Sequence, residues 1–161
     1  MIMINLFLSY STPKNENQIQ FLNEVKKIIE LNNFNIIEVM DIDDFQINPI
    51  FKIINALNKS DAFLCIAFEK KAEKNTDGKI NFYTSHWLDI ELSLAIEKNL
   101  QFFIMMESHL SNNEVLCRSQ KNIPIHYIEI TDNSNINPNI LQQTILEFIE
   151  WLSYLNKILF I

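Results

Sequence analysis

Glycine is almost absent from this sequence: the 161 residues contain one, Gly78. Phosphate-binding loops of the P-loop and dinucleotide-binding types need several glycines at fixed spacing, because their backbone approaches the phosphates closely. A single glycine excludes both kinds of loop. A nucleotide ligand would have to be held by a different geometry.

Cysteine and histidine are also scarce. The two cysteines, Cys65 and Cys117, are too few and too far apart for a disulfide framework or a zinc site. The three histidines, His86, His109 and His126, lie on different predicted elements, and none has a second ligand at metal-binding spacing. We therefore expect no metal and no resident cofactor, a core position for Cys65, and a reducing location.

Basic residues are outnumbered by acidic ones, with 13 Lys and Arg against 20 Asp and Glu and a net charge of −7. This balance lacks the basic footprint of a nucleic-acid-binding protein. The apolar amino terminus has no basic segment or cleavage site typical of a signal peptide, and no stretch is long and apolar enough to cross a bilayer. We expect a cytoplasmic protein with neither a nucleic-acid nor a membrane partner.

Apolar residues are abundant: 48% of the chain is hydrophobic, including 12 Phe, which is enough for the core of a single domain over residues 1–161. Short apolar runs alternate with segments of helical periodicity, a pattern typical of parallel strands covered on both faces. The pattern predicts an α/β fold, with a flavodoxin-like five-stranded parallel sheet and helices on both faces. The predicted strands are residues 2–9, 34–40, 62–68, 101–106 and 123–130; the predicted helices are residues 16–31, 50–58, 84–99 and 140–156; residues 69–83 are predicted to form an exposed loop.

Three segments of such a sheet meet at one edge. Ligands of open parallel sheets bind at the carboxyl ends of the strands, near the point where the strand order reverses. Residues 9–12, residues 41–49 and the start of the third helix all lie at that end.

The third helix is unusual because Glu91 follows Trp87 by one turn, beside an apolar stripe that includes Ile90 and Leu94. A hydroxyl of Thr84 or Ser85 is expected to cap this helix. A carboxylate on a buried stripe is costly unless something binds it, so it marks a candidate site.

Two sequence boxes resemble those of TIR domains. Residues 7–11 (Phe-Leu-Ser-Tyr-Ser) are similar to the first box of the family, and residues 85–91 (Ser-His-Trp-Leu-Asp-Ile-Glu) resemble the motif on its third helix, with Leu88 in place of the usual Cys. Residues 44–68 look like those of the bacterial antiphage subgroup, which includes Thoeris-type TIR proteins. The resemblance covers roughly residues 4–106.

For enzymatic TIR proteins, the resemblance implies that NAD is a substrate and is cleaved between nicotinamide and ribose. An ADP-ribose-derived product, cyclic or conjugated, then activates a separate effector in antiphage defence, and further TIR protomers assemble on activation. By motif position, Glu91 is the predicted catalytic residue. The predicted substrate-binding residues are Tyr10, Ser11, Phe45, Ser85 and Trp87.

Simpler interpretations stay open at this stage. Glu91 would also be favourable as an acid near a helix amino terminus, Trp87 as a packing residue, and Ser9 as a hydrogen-bonding group at the strand end. Asp41, Asp43 and Asp44 lack the glycine of a calcium loop and favour a solvated loop. Two other functions compete with an NAD-consuming enzyme: a non-catalytic TIR–TIR interaction module, and a nucleoside deoxyribosyltransferase-like enzyme that processes free nucleosides.

Overall fold

A computed structural model of the chain describes residues 3–39, 48–112, 123–130 and 138–159. Strands and helices alternate along most of these residues, as the sequence predicts, but three strands follow one another between the second and third α-helices. The strands are β1 (Ile4–Tyr10), β2 (Phe34–Ile37), β3 (Ala62–Ala67), β4 (Lys71–Lys74), β5 (Ile80–Tyr83), β6 (Gln101–Glu107) and β7 (His126–Ile128). The helices are α1 (Glu16–Leu31), α2 (Pro49–Leu57), α3 (His86–Glu97) and α4 (Pro138–Leu159), with one 3-10 helix at Ser108–Asn112.

Five of the strands form one parallel sheet in the order β2-β1-β3-β6-β7. This is the flavodoxin-like order, and it confirms the predicted fold class. After β1 the chain adds β2 on one side of it, and then β3 on the other. The strand order therefore reverses between β1 and β3, and the carboxyl ends of these two strands border a crevice.

Two apolar clusters cover the two faces of the sheet. Alternate residues of β1 point to opposite faces, so Leu6 and Leu8 pack with α1 and α4, whereas Phe7 packs with α2 and α3. All six residues of β3 are buried, because this central strand is covered on both sides. Cys65 lies within it and is fully buried, as predicted.

Helix α3 differs from the prediction in which side it presents to the sheet. Its buried residues are Leu88, Glu91, Leu92 and Ala95, which follow the three- and four-residue spacing of one helix face. Ile90 is 37% exposed, so the predicted core-facing position of Ile90 is wrong; Leu94 is partly buried against the core. The helix packs through Leu88 and Leu92, which brings Glu91 itself onto the buried face.

The segment predicted as an exposed loop is exposed but ordered as a hairpin. Strands β4 and β5 pair antiparallel, and the turn between them contains Gly78 at a φ of +84°. The four residues of β4, Lys-Ala-Glu-Lys, are all exposed, so they lack the apolar alternation by which a strand is recognised in a sequence.

In the described ranges, no helix has the length and apolar character needed to cross a membrane.

Candidate active site

A cavity of about 240 Å³ opens at the carboxyl ends of β1 and β2. Its lining combines apolar side chains with two carboxylates, a phenol and two hydroxyl groups. The lining residues are Leu8, Ser9, Tyr10, Thr12, Pro13, Leu22, Glu38, Val39 and Glu91. Drug-sized ligands occupy roughly 300–1,000 Å³. The cavity therefore suits one half of a dinucleotide better than the whole molecule.

Glu91 is the buried acid of this cavity. Helix α3 packs it beneath the end of β1, where its side chain is only 9% exposed and the Ser9 hydroxyl donates a hydrogen bond to Oε2. Burial raises the pKa of the Glu91 carboxyl to about 6, and the hydrogen bond from Ser9 opposes this rise without cancelling it. Ser9 thus contacts the predicted catalytic side chain itself, a role that the local sequence did not indicate.

Tyr10 lines the same cavity, together with an acid that sequence reasoning missed. Glu38 follows β2 by one residue, and Lys26 of α1 places its Nζ 2.6 Å from Glu38 Oε1. The same Nζ lies 5.2 Å from the centre of the Tyr10 ring. Burial lowers the pKa of Lys26, but Glu38 and Tyr10 outweigh it, so the pKa is raised overall. The three side chains form one linked group at the edge of the cavity.

Ser11 is buried and lies outside the residues that line this cavity. Its hydroxyl donates to the carbonyl oxygen of Phe68 at 2.9 Å and accepts from the Phe68 N–H at 2.7 Å. The Thr84 hydroxyl donates to Ser11 Oγ at 3.2 Å. Ser11 therefore joins the loop after β1 to the end of β3 and to the residues before α3. Its predicted role in substrate binding stays a prediction.

Ser85 and Trp87 line a different cavity. This one measures about 570 Å³ and lies between the β4–β5 hairpin and the start of α3; Lys70, Lys71 and Tyr83 also contribute to it. Trp87 is 38% exposed. Ser85 is the residue before the helix, but its hydroxyl makes no capping hydrogen bond, and the Thr84 hydroxyl turns to Ser11 instead. The predicted hydroxyl cap is therefore wrong, and Trp87 and Ser85 are not brought to the Glu91 cavity.

Two predictions fall on residues outside the described ranges. Phe45, predicted to contact substrate, and the acidic cluster Asp41, Asp43 and Asp44 lie in the gap between residues 39 and 48. In the described parts of the chain, no group of three or more His, Cys, Asp or Glu side chains is arranged to hold a metal ion.

A second polar cluster lies at the carboxyl end of β6, beside a cavity of about 350 Å³. Glu107 is 1% exposed and accepts hydrogen bonds from Gln18 Nε2 and the backbone N–H of Glu69. The Glu69 carboxylate in turn contacts Lys14 Nζ at 2.8 Å and His109 Nε2 at 2.9 Å. Burial raises the pKa of Glu107. The cluster connects the start of α1, the end of β3 and the end of β6.

No model of a known protein family matches the chain, and no curated protein matches its sequence. Among solved structures, the lysine decarboxylase LdcF of Francisella novicida aligns with 90% of this chain and 17% of its own, at 9% identity and a TM-score of 0.44. A likeness this weak carries no argument about activity. The fold and site by themselves define an α/β protein with a flavodoxin-like sheet and a buried carboxylate at the carboxyl end of β1.

Proposed function

We propose that the protein is a TIR-type enzyme that consumes NAD by cleaving the bond between nicotinamide and ribose. The observation that supports this most directly is the buried Glu91 carboxylate, which lines a cavity at the carboxyl edge of the sheet and has a pKa of about 6. The resemblance of residues 7–11 and 85–91 to the two TIR boxes is the reason for proposing NAD as the substrate.

The proposed reaction needs one carboxylate rather than an acid–base pair. Nicotinamide is cationic in NAD and leaves as a neutral molecule, because it keeps the electron pair of the broken bond to C1′. The ribosyl group that remains passes through an oxocarbenium-like state, which a nearby carboxylate stabilises. With a pKa of about 6, Glu91 is mostly ionised at pH 7. Water or another hydroxyl then attacks C1′, and Glu91 accepts the proton released.

The lining of the cavity is compatible with this substrate. Leu8, Leu22 and Val39 supply an apolar surface for the pyridine ring, and the two carboxylates favour a ligand fragment that carries positive charge. A phosphate group would be repelled here, so the rest of the dinucleotide would extend out of the cavity.

The biological role follows from the same resemblance and is proposed with it. The ADP-ribose-derived product, cyclic or conjugated, would act as a signal that activates a separate effector in antiphage defence. Further copies of the protein would assemble with it on activation, in the cytoplasm.

Product analysis with matched variants tests the enzymatic proposal. Purified protein is incubated with NAD, with and without crowding agents that promote assembly, and nicotinamide and the remaining nucleotide are identified by mass spectrometry. We expect nicotinamide release by the wild type and by Glu97→Gln, an exposed control on the same helix, and a loss of about 100-fold or more in Glu91→Gln. Unchanged release by Glu91→Gln would exclude Glu91 as the catalytic group. Turnover of free 2′-deoxynucleosides without turnover of NAD would favour the deoxyribosyltransferase alternative.

A specific feature of the surface favours the non-catalytic alternative. Trp87 and Ile90 of α3 are 38% and 37% exposed, and Phe51 of the neighbouring helix α2 is 60% exposed. Exposed apolar side chains on adjacent helices are typical of interaction surfaces. If the protein is only an assembly module, Trp87→Ser should weaken self-association in sedimentation experiments, and no nicotinamide should form under any condition.

A further inference from the structure

The Glu91 cavity contains a second carboxylate to which the proposed bond cleavage assigns no contact with a particular ligand group. Glu38 lies immediately after β2, the strand next to β1, so both acids reach the same edge of the sheet. The Glu38 side chain is only 15% exposed. A second acid on the wall of the same cavity is therefore available to contact a ligand bound there.

The surroundings of Glu38 hold it in one orientation. Lys26 Nζ approaches Oε1 at 2.6 Å, in an ion pair whose direction is not that of an aligned hydrogen bond. Lys26 is itself positioned over the Tyr10 ring. This contact compensates much of the Glu38 charge and fixes the carboxylate at the cavity wall.

Among the described residues, one oxygen of each carboxylate has a protein partner. Glu38 Oε1 faces Lys26, and Glu91 Oε2 accepts from Ser9. Within the described part of the chain, Glu38 Oε2 and Glu91 Oε1 accept no hydrogen bond. The cavity thus offers two strong acceptors and calls for a ligand with hydroxyl or N–H donors.

The charge and position of Glu38 limit the chemical class of the ligand further. Anionic groups are disfavoured by two carboxylates, and a metal ion lacks a set of three ligands among the described residues. The vicinal hydroxyl groups of a sugar are such donors. In other open α/β sheets, an acid at the carboxyl end of the neighbouring strand binds the ribose hydroxyls of a dinucleotide. The same topological position is occupied here by Glu38.

We infer that Glu38 binds the hydroxyl groups of the ribose whose C1′ reacts, and that it makes the site select ribosides over 2′-deoxyribosides. The inference rests on the proposed function, because it names the sugar that the Glu91 site accepts. Hydrogen bonds to the 2′-hydroxyl also strengthen as positive charge develops at C1′, so Glu38 contributes to transition-state binding as well as to selection.

Binding of an inert ligand pair tests this inference without turnover. The probes are carbocyclic nicotinamide riboside, in which a methylene group replaces the ring oxygen, and its 2′-deoxy counterpart, titrated into the full chain by NMR. We expect the riboside to bind the wild type about tenfold or more tightly, because a hydrogen bond to a charged group contributes that much. Glu38→Ala should reduce the preference to less than about threefold, and Glu38→Gln, which keeps an acceptor oxygen, should fall between the two.

Controls separate this role from a structural one. Glu30→Ala, an exposed substitution on α1, should keep the wild-type preference. Amide spectra show whether each variant retains the native fold; a full preference in folded Glu38→Ala, or no preference in the wild type, would overturn the inference. If the preference holds but NAD is not cleaved, the enzymatic proposal fails alone. If NAD is cleaved with equal use of the 2′-deoxy form, the Glu38 inference fails alone.

Discussion

Replacing Glu91 by glutamine should stabilise the protein at neutral pH, although it removes the proposed catalytic group. The carboxyl is nine-tenths buried, and its pKa is about 6 in the folded protein against an ordinary value of 4.5. The folded state therefore holds a proton on Glu91 more tightly than the unfolded state does. Stability falls as the pH rises from about 4.5 to about 6, and the full cost of the buried charge is present above that window.

The size of the effect follows from the two pKa values. The difference between about 6 and 4.5 corresponds to about 2 kcal/mol, at 1.4 kcal/mol for each tenfold change in proton affinity. Glutamine is neutral at every pH and still offers an oxygen to the Ser9 hydroxyl. Glu91→Gln should therefore raise the free energy of unfolding by about 2 kcal/mol at pH 7.5 and by close to nothing at pH 4.

Urea denaturation of the wild type and variant at a series of pH values measures this difference. The slope against urea concentration should be unchanged, since the same surface is exposed on unfolding. Glu97→Gln, on the exposed side of the same helix, should show no comparable change with pH. The reasoning would be refuted if Glu91→Gln had the same effect at pH 4 and pH 7.5, or if it were destabilising at both.

Four further substitutions probe separate contacts. Ser9→Ala removes the hydrogen bond that holds down the pKa of Glu91, so the acid limb of the pH–activity profile should move to higher pH. Ser11→Ala leaves the backbone N–H and carbonyl of Phe68 without their side-chain partner, so it should lower the free energy of unfolding by about 1–3 kcal/mol in urea denaturation. The fraction of Ser11→Ala protein that stays folded should keep its activity. Leu88→Ala should lower the free energy of unfolding by about 2–5 kcal/mol, because the Leu88 side chain is 1% exposed. Trp87→Ala should lower it by less than half as much, because Trp87 is 38% exposed, and thermal denaturation of the two variants measures the difference.

The predicted and observed folds agree where local pattern carries the information. The apolar run that forms β3 has no polar alternation, and its burial on both faces follows from that. Alternating strands and helices with right-handed connections leave few sheet orders, and the flavodoxin-like order is one of them. The hairpin of β4 and β5 was missed because the four residues of β4, three of them charged, are all exposed, so nothing in their order distinguishes a strand from a loop.

The candidate site was predicted in part. Glu91 stands out in the sequence because an acid interrupts an apolar helix face, and it does line the cavity with Tyr10. Trp87 belongs to the same motif but lines another cavity. Helix α3 packs on the sheet through Leu88 and Leu92, and this orientation of the helix leaves Trp87 on its outer side. Neighbouring positions in a motif therefore do not establish a shared pocket.

By itself, the sequence determined the α/β class, the parallel sheet and the presence of an acid at its carboxyl edge. These depend on residue periodicity over short distances, which is readable along the chain. Only the tertiary structure decided which groups meet Glu91. Ser9 is 82 positions away in the chain, and Glu38 reaches the cavity through a strand and a lysine from a different helix. Such contacts are set by the packing of whole elements on the sheet, and packing has no local signature in the order of the residues.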